Sequence, residues 1–102
     1  MTFQNRVEKV KQQLSKNNVS GIFVTNLTNI RYLTGFTGSA AALLLLDKEQ
    51  YFFTDGRYTE QSKEQIKNCK IHIISKNYYQ YIADNNFIKN NVRIGFEGDH
   101  MS

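Results

Sequence analysis

The stretch that most constrains the fold is Ala40-Ala41-Ala42-Leu43-Leu44-Leu45-Leu46, seven apolar residues in a row. Asp47-Lys48-Glu49-Gln50 follows at once, and then Tyr51-Phe52-Phe53-Thr54. Propensity alone favours a helix over the first run, with Ser39 as its cap. Such a helix would have no polar face to turn to water. Two apolar runs around a four-residue polar connection suit instead a β-hairpin with both arms largely buried. Burial on both faces calls for layers on either side of a sheet.

The flanking sequence supplies those layers. Phe3, Val7, Val10 and Leu14 recur at helical spacing, which predicts an amphipathic helix of about 14 residues. Asn17-Asn18 and Gly21 mark its exit, and Ile22-Phe23-Val24 reads as a short buried strand. Asn26 is placed to cap a second, shorter helix whose inward face is Leu27, Ile30 and Leu33. That helix stops in Thr34-Gly35-Phe36-Thr37-Gly38-Ser39, where two glycines permit backbone angles that a helix cannot use. Beyond the hairpin, Asp55-Gly56 makes a turn and a helix is predicted from about Tyr58 to Asn68. Glu60, Lys63, Glu64 and Lys67 lie on it at ion-pair spacing. Ile71-His72-Ile73-Ile74 reads as a strand whose alternation turns His72 away from Ile71 and Ile73, toward solvent. Tyr78 to Ile88 reads as a helix with Tyr78, Tyr81 and Ile82 inward, and Val92 to Phe96 as a closing strand. The expected fold is α/β: one mixed β-sheet of about five strands flanked by helices, forming a single domain over residues 1–102.

Size and composition narrow the function. A chain of 102 residues has the length of one domain. Its folded surface should be roughly 6,000 Å² against roughly 17,000 Å² extended, enough for one core but not for a two-domain enzyme. One cysteine, Cys69, cannot staple a fold and suits a reducing compartment. No unbroken apolar core follows Met1, as a secretory leader would need. The seven-residue apolar run falls far short of the ~20 residues that span a bilayer. The expectation is a cytoplasmic protein with no membrane partner. The net charge of +4 sits in residues 1–46, mainly as Arg6, Lys9, Lys11 and Lys16 on the first helix. That spread reads as a solvated face rather than a nucleic-acid surface.

Chemistry-bearing residues are sparse. Cys69, His72 and His100 offer no second ligand pair that would complete a metal site. Neither histidine lies in a loop beside a nucleophile, and Glu60 and Glu64 sit one turn apart among lysines on a solvated face. Gly35-Phe36-Thr37-Gly38 lacks the lysine of a P-loop and the third glycine of a dinucleotide fingerprint. Its glycine spacing fits a KH loop, but its middle residues are not basic. No covalent chemistry is expected of this chain alone, and no nucleic acid.

Three stretches in order carry more information. Asn29-Ile30-Arg31-Tyr32-Leu33-Thr34-Gly35-Phe36 with Gly38-Ser39, then Thr54-Asp55-Gly56-Arg57-Tyr58 with Gln61, then Ile94-Gly95-Phe96-Glu97 resemble successive signatures of the creatinase/prolidase/aminopeptidase P family. The match runs from about residue 3 to residue 97. The resemblance implies the family's amino-terminal domain, with a ribonuclease H-like motif. It places catalysis in a second, carboxy-terminal "pita-bread" domain absent from these residues. There, two Asp, one His and two Glu would hold two divalent metal ions, Mn being expected, so no cofactor is implied within this chain. The implied parent is a cytoplasmic Xaa-Pro metallopeptidase, a proline dipeptidase or aminopeptidase P acting on short peptides with proline after the first residue. Its implied partners are its own catalytic domain and a second copy of itself.

The resemblance also implies that the loop Gly35, Phe36, Thr37, Gly38 and Ser39 approaches the neighbouring subunit's active site. Phe36 is open to two placements: walling the substrate entrance, where Phe36→Ala would alter the Michaelis constant more than folding, or plugging the core beneath the loop. Asn29, Arg31 and Tyr32 could order the loop by bonding to its carbonyls, or form an ordinary helix surface. For Asp55 and Arg57 a structural role is favoured, by mutual pairing or by Asp55 capping the helix from Tyr58. Two other readings remain open: a creatinase-like or pseudo-peptidase parent, and a free-standing nucleic-acid or protein interaction module.

Overall fold

The structure is a computed structural model that describes residues 2–75, 77–85 and 94–97. The first amphipathic stripe becomes helix α1, Phe3–Lys16, and the Thr2 side chain caps it by accepting the Asn5 N–H. It ends in a Schellman turn: Asn18 N–H donates to the Ser15 carbonyl and Val19 N–H to the Leu14 carbonyl. Asn18 takes the left-handed conformation, φ 57°, that this turn requires. Strand β1, Gly21–Val24, leads to helix α2, Leu27–Thr34, capped as the sequence predicts by the Asn26 side chain and closed by left-handed Gly35.

The apolar run resolves as strand. Ala42–Leu46 is β2 and Gln50–Thr54 is β3, paired antiparallel with Leu43 opposite Phe52 and Leu44 opposite Tyr51. Gln50, expected in the connection, is the first residue of β3. A 3-10 turn, Gly56–Tyr58, enters helix α3, Thr59–Gln65, which is followed by β4, Lys70–Ile73, then α4, Tyr78–Asp84, and β5, Ile94–Glu97. The five strands form one sheet in the order β4-β3-β2-β1-β5. β1 and β2 run antiparallel, while β1 with β5 and β3 with β4 run parallel. This is the mixed, helix-flanked α/β sheet expected from the sequence.

Strand alternation divides the core. Val24, Leu43, Leu45 and Phe52 face one side, where Val7 of α1, Ile30 and Leu33 of α2, Phe36 and Ile66 cover them. Phe23, Ala42, Leu44 and Phe53 face the other side, covered by Ile74 and Ile82 with Tyr78 and Tyr81 against them. Gly21 is required by the close β1–β2 approach, since a Cβ there would sit 2.6 Å from the Leu45 carbonyl oxygen.

Three expectations are corrected. The helix after the hairpin ends at Gln65 rather than Asn68, because Ile66 turns extended to bury its side chain in the first core cluster. Its ion pairs do not form: the Lys67 ammonium donates to the Lys63 carbonyl, and the ion pairs among the described residues are Arg57–Asp55 and Lys70–Glu49. His72 does lie on the opposite face from Ile71, but it is half-buried rather than solvated. It stacks on Phe53, with Tyr51 and Tyr81 beside it. The helix residues expected at 86–88, the strand residues Val92 and Arg93, and His100 lie outside the described residues.

Candidate functional site

The loop between α2 and β2 joins two of the signature stretches physically. It begins at Gly35, whose φ of 84° suits glycine and whose N–H donates to the Arg31 carbonyl. Phe36 turns inward and is 1% exposed, its ring edge-on to Phe52 at 4.8 Å and to Tyr58 at 5.4 Å between centroids. Its N–H donates to the Thr34 hydroxyl, which in turn donates to the Ile30 carbonyl. Of the two placements open to Phe36, the structure has the core plug. Gly38 follows from that packing, because a Cβ would overlap the Phe36 ring and come within 2.9 Å of the Tyr58 ring.

The exposed residues of the loop are Thr37 and Ser39, and both are held by side chains from the 3-10 turn and α3. Thr37 N–H donates to Gln65 Oε1 at 3.0 Å, and Thr37 Oγ1 accepts from Gln61 Nε2 and Gln65 Nε2, each at 3.0 Å. Tyr58 takes Ser39 at two points: its hydroxyl accepts the Ser39 N–H at 3.2 Å and lies 2.6 Å from Ser39 Oγ. Those bonds hold the Tyr58 phenol below its ordinary pKa. Thr54, fully buried, donates its hydroxyl to the Ala40 carbonyl and fixes the loop's far end. Gln61 belongs to the second signature stretch. Gln65 was not singled out in the sequence, although its i+4 spacing from Gln61 places both amides on one helical face.

The other signature residues serve local structure. Asp55 accepts the Arg57 N–H as cap of the 3-10 turn and also takes a bidentate pair from the Arg57 guanidinium, at 3.0 and 2.8 Å. The Arg57 hydrogen bond lowers the Asp55 pKa, and Asp55 raises that of Arg57. The mutual pairing foreseen for these residues is present, whereas Asp55 caps the 3-10 turn rather than the helix after it, which has no side-chain cap. Asn29 supplies the N–H that closes the Asn26 cap. Tyr32 is 53% exposed, its ring against the Arg6 guanidinium at 4.4 Å and its carbonyl accepting from Arg6 Nη1. Arg31 is exposed. Tyr58, Gln61 and Gln65 hold the loop's exposed residues, while Thr34 and Thr54 tie its two ends.

Nothing in this arrangement is a nucleophile paired with a base. Burial pushes the Cys69 thiol up to about 11, so it is not a reactive thiolate at neutral pH. Desolvation lowers the pKa of His72, which lies on the other face of the sheet. Among the described residues no group of three or more His, Cys, Asp or Glu could hold a metal ion, so they do not fit the two ions that the family resemblance implies. What the loop offers is hydrogen-bonding groups held in fixed positions.

The fold and the paired signatures define a class. The family model of the Creatinase/Prolidase N-terminal domain matches residues 6–102, and the chain belongs to that family. Among its relatives is the uncharacterized peptidase YqhT of Bacillus subtilis (strain 168), 36% identical over 97 residues that make up 95% of this chain and 28% of YqhT. The chain thus spans little more than a quarter of that curated relative. The crystal structure of the N-terminal, creatinase/prolidase-like domain of a Corynebacterium diphtheriae protein superposes with a TM-score of 0.85 at 36% identity, covering 98% of this chain and 79% of that one. The N-terminal domain of cytoplasmic peptidase PepQ from Mycobacterium tuberculosis H37Rv follows at TM-score 0.79 and 31% identity, covering 91% and 72%. Among the described residues no helix is long and apolar enough to cross a membrane.

Proposed function

We propose that residues 1–102 are the non-catalytic N-terminal domain of a cytoplasmic Xaa-Pro metallopeptidase, a proline dipeptidase or aminopeptidase P. The hydrolytic centre and its two divalent ions, Mn being the expected metal, belong to a carboxy-terminal domain beyond these residues. This domain contributes to a homodimer, and its 35–39 loop shapes the path of short, proline-containing peptides to the partner's active site. The observation that carries the reading is the double grip on Thr37 and Ser39 by Tyr58 and Gln61 of the second signature and by Gln65 beside them. A loop held only for folding needs its buried Phe36 anchor; here two exposed polar residues are fixed as well. Family membership and the two peptidase relatives support the parent activity, and the signature resemblance supports proline specificity.

The test compares the 102-residue chain with the longer protein, each given an Ala-Pro substrate and Mn²⁺. Turnover by the longer protein alone is the expected result. Turnover by the short chain, or none by either, contradicts the reading. Sedimentation of the longer protein as a monomer would contradict the dimer.

A further inference from the structure

The hydrogen bonds around Thr37 leave one proton accounted for in only one way. The Thr37 N–H can be received only by an oxygen, so Gln65 must turn Oε1 toward it and Nε2 toward the Thr37 hydroxyl. Gln65 Oε1 also receives Gln61 Nε2 at 3.2 Å, which fixes the second amide, and the same Gln61 nitrogen reaches Thr37 Oγ1. Thr37 Oγ1 therefore accepts two N–H groups and has both lone pairs engaged. Its own proton is left to donate away from the clamp, from an exposed side chain whose oxygen cannot accept anything more. The Ser39–Tyr58 contact differs, since either oxygen can be the donor there and no direction is imposed.

The geometry points to Thr37 as a specificity-determining residue. Its hydroxyl is a pre-oriented donor for an oxygen of the peptide substrate, a backbone carbonyl or the terminal carboxylate. Gln61 and Gln65 are the positioning residues that make it a donor only. This rests on the proposed role of the 35–39 loop in substrate access. A donor-only hydroxyl selects an acceptor oxygen and is indifferent to ammonium groups, which suits the carbonyl end of a peptide rather than its amino end.

Gln65→Glu separates the roles. The carboxylate still accepts the Thr37 N–H but offers a second acceptor to the Thr37 proton, turning the donor inward with the loop intact. In the longer protein, Thr37→Val and Gln65→Glu should each raise KM for Ala-Pro substrates by roughly three- to tenfold, the worth of one hydrogen bond, with kcat nearly unchanged. Thr37→Ser should restore the wild-type KM. If the effect vanishes with alanyl-pyrrolidide, which keeps the peptide carbonyl but has no carboxyl group, the acceptor is the carboxylate; if it persists, the acceptor is the carbonyl. Unchanged KM in both variants of an active enzyme overturns the inference and leaves the proposed function standing. Absence of turnover in the wild-type longer protein overturns the proposed function, and the inference with it.

Discussion

The two faces of the sheet are closed by different physical means. On the face under α1 and α2, aliphatic side chains and Phe36 are buried to within a few per cent, and the covering loop is tied down by side-chain hydrogen bonds. On the other face, the seven-residue helix α4 brings tyrosines against Phe53 and a half-buried His72, with the Tyr81 hydroxyl 3.3 Å from His72 Nδ1. The first closure involves no group that titrates near neutral pH. The second includes one. One sheet thus carries a face closed by aliphatic packing and a tied loop, and a face whose closure includes a histidine with a lowered pKa.

The largest expected effect is on the packed face. Phe36→Ala should destabilise the domain by about 3–5 kcal/mol, the range for a buried phenylalanine, seen as a lowered denaturant midpoint. A much smaller loss would mean that the loop folds independently of the core. Gly38→Ala, which forces a methyl group against the Phe36 and Tyr58 rings, should lose about 1–3 kcal/mol in the same measurement. Next comes the face that includes His72. The folded pKa of His72 lies below its ordinary value, so its contribution is fully present above about pH 6.5 and is lost as pH falls through the folded pKa. His72→Phe should flatten the decline of melting temperature with acidification; an unchanged slope would mean that His72 is not the group responsible. Arg57→Met should matter least. It breaks an exposed pair but leaves the Asp55 cap on the 57 N–H, so only a small melting shift is expected, and a large one would reveal an unseen role for the pair.

Much of the fold was legible because local pattern and tertiary need agree. The Val7-Val10-Leu14 part of the first stripe and the Asn26 cap are used as their pattern predicts, although Phe3 stays 41% exposed. The run from Ala40 to Leu46, which propensity alone would make a helix, becomes a strand because a helix would have no polar face. The failures have a common cause. Asn68 lies outside α3 because its side chain donates to the Leu33 carbonyl and its carbonyl accepts from Gln50, contacts between distant segments that no helical periodicity encodes. His72 is half-buried because α4 returns over it. Within the candidate site, two of the three gripping side chains, Tyr58 and Gln61, fell within a signature stretch. Gln65 did not, since a glutamine on a polar helix face looks like any solvated residue until the loop 28 positions earlier is laid against it.

The central claim is that side chains of the 3-10 turn and α3, two of them in the second signature, hold the 35–39 loop in a fixed shape. Residue-resolved amide hydrogen exchange on the 102-residue chain tests it most directly. Thr37 and Ser39 N–H should exchange well below free-peptide rates despite their exposure, with protection lost at Thr37 in Gln65→Leu and at Ser39 in Tyr58→Phe. Free-peptide rates at both amides in the wild type would contradict the account.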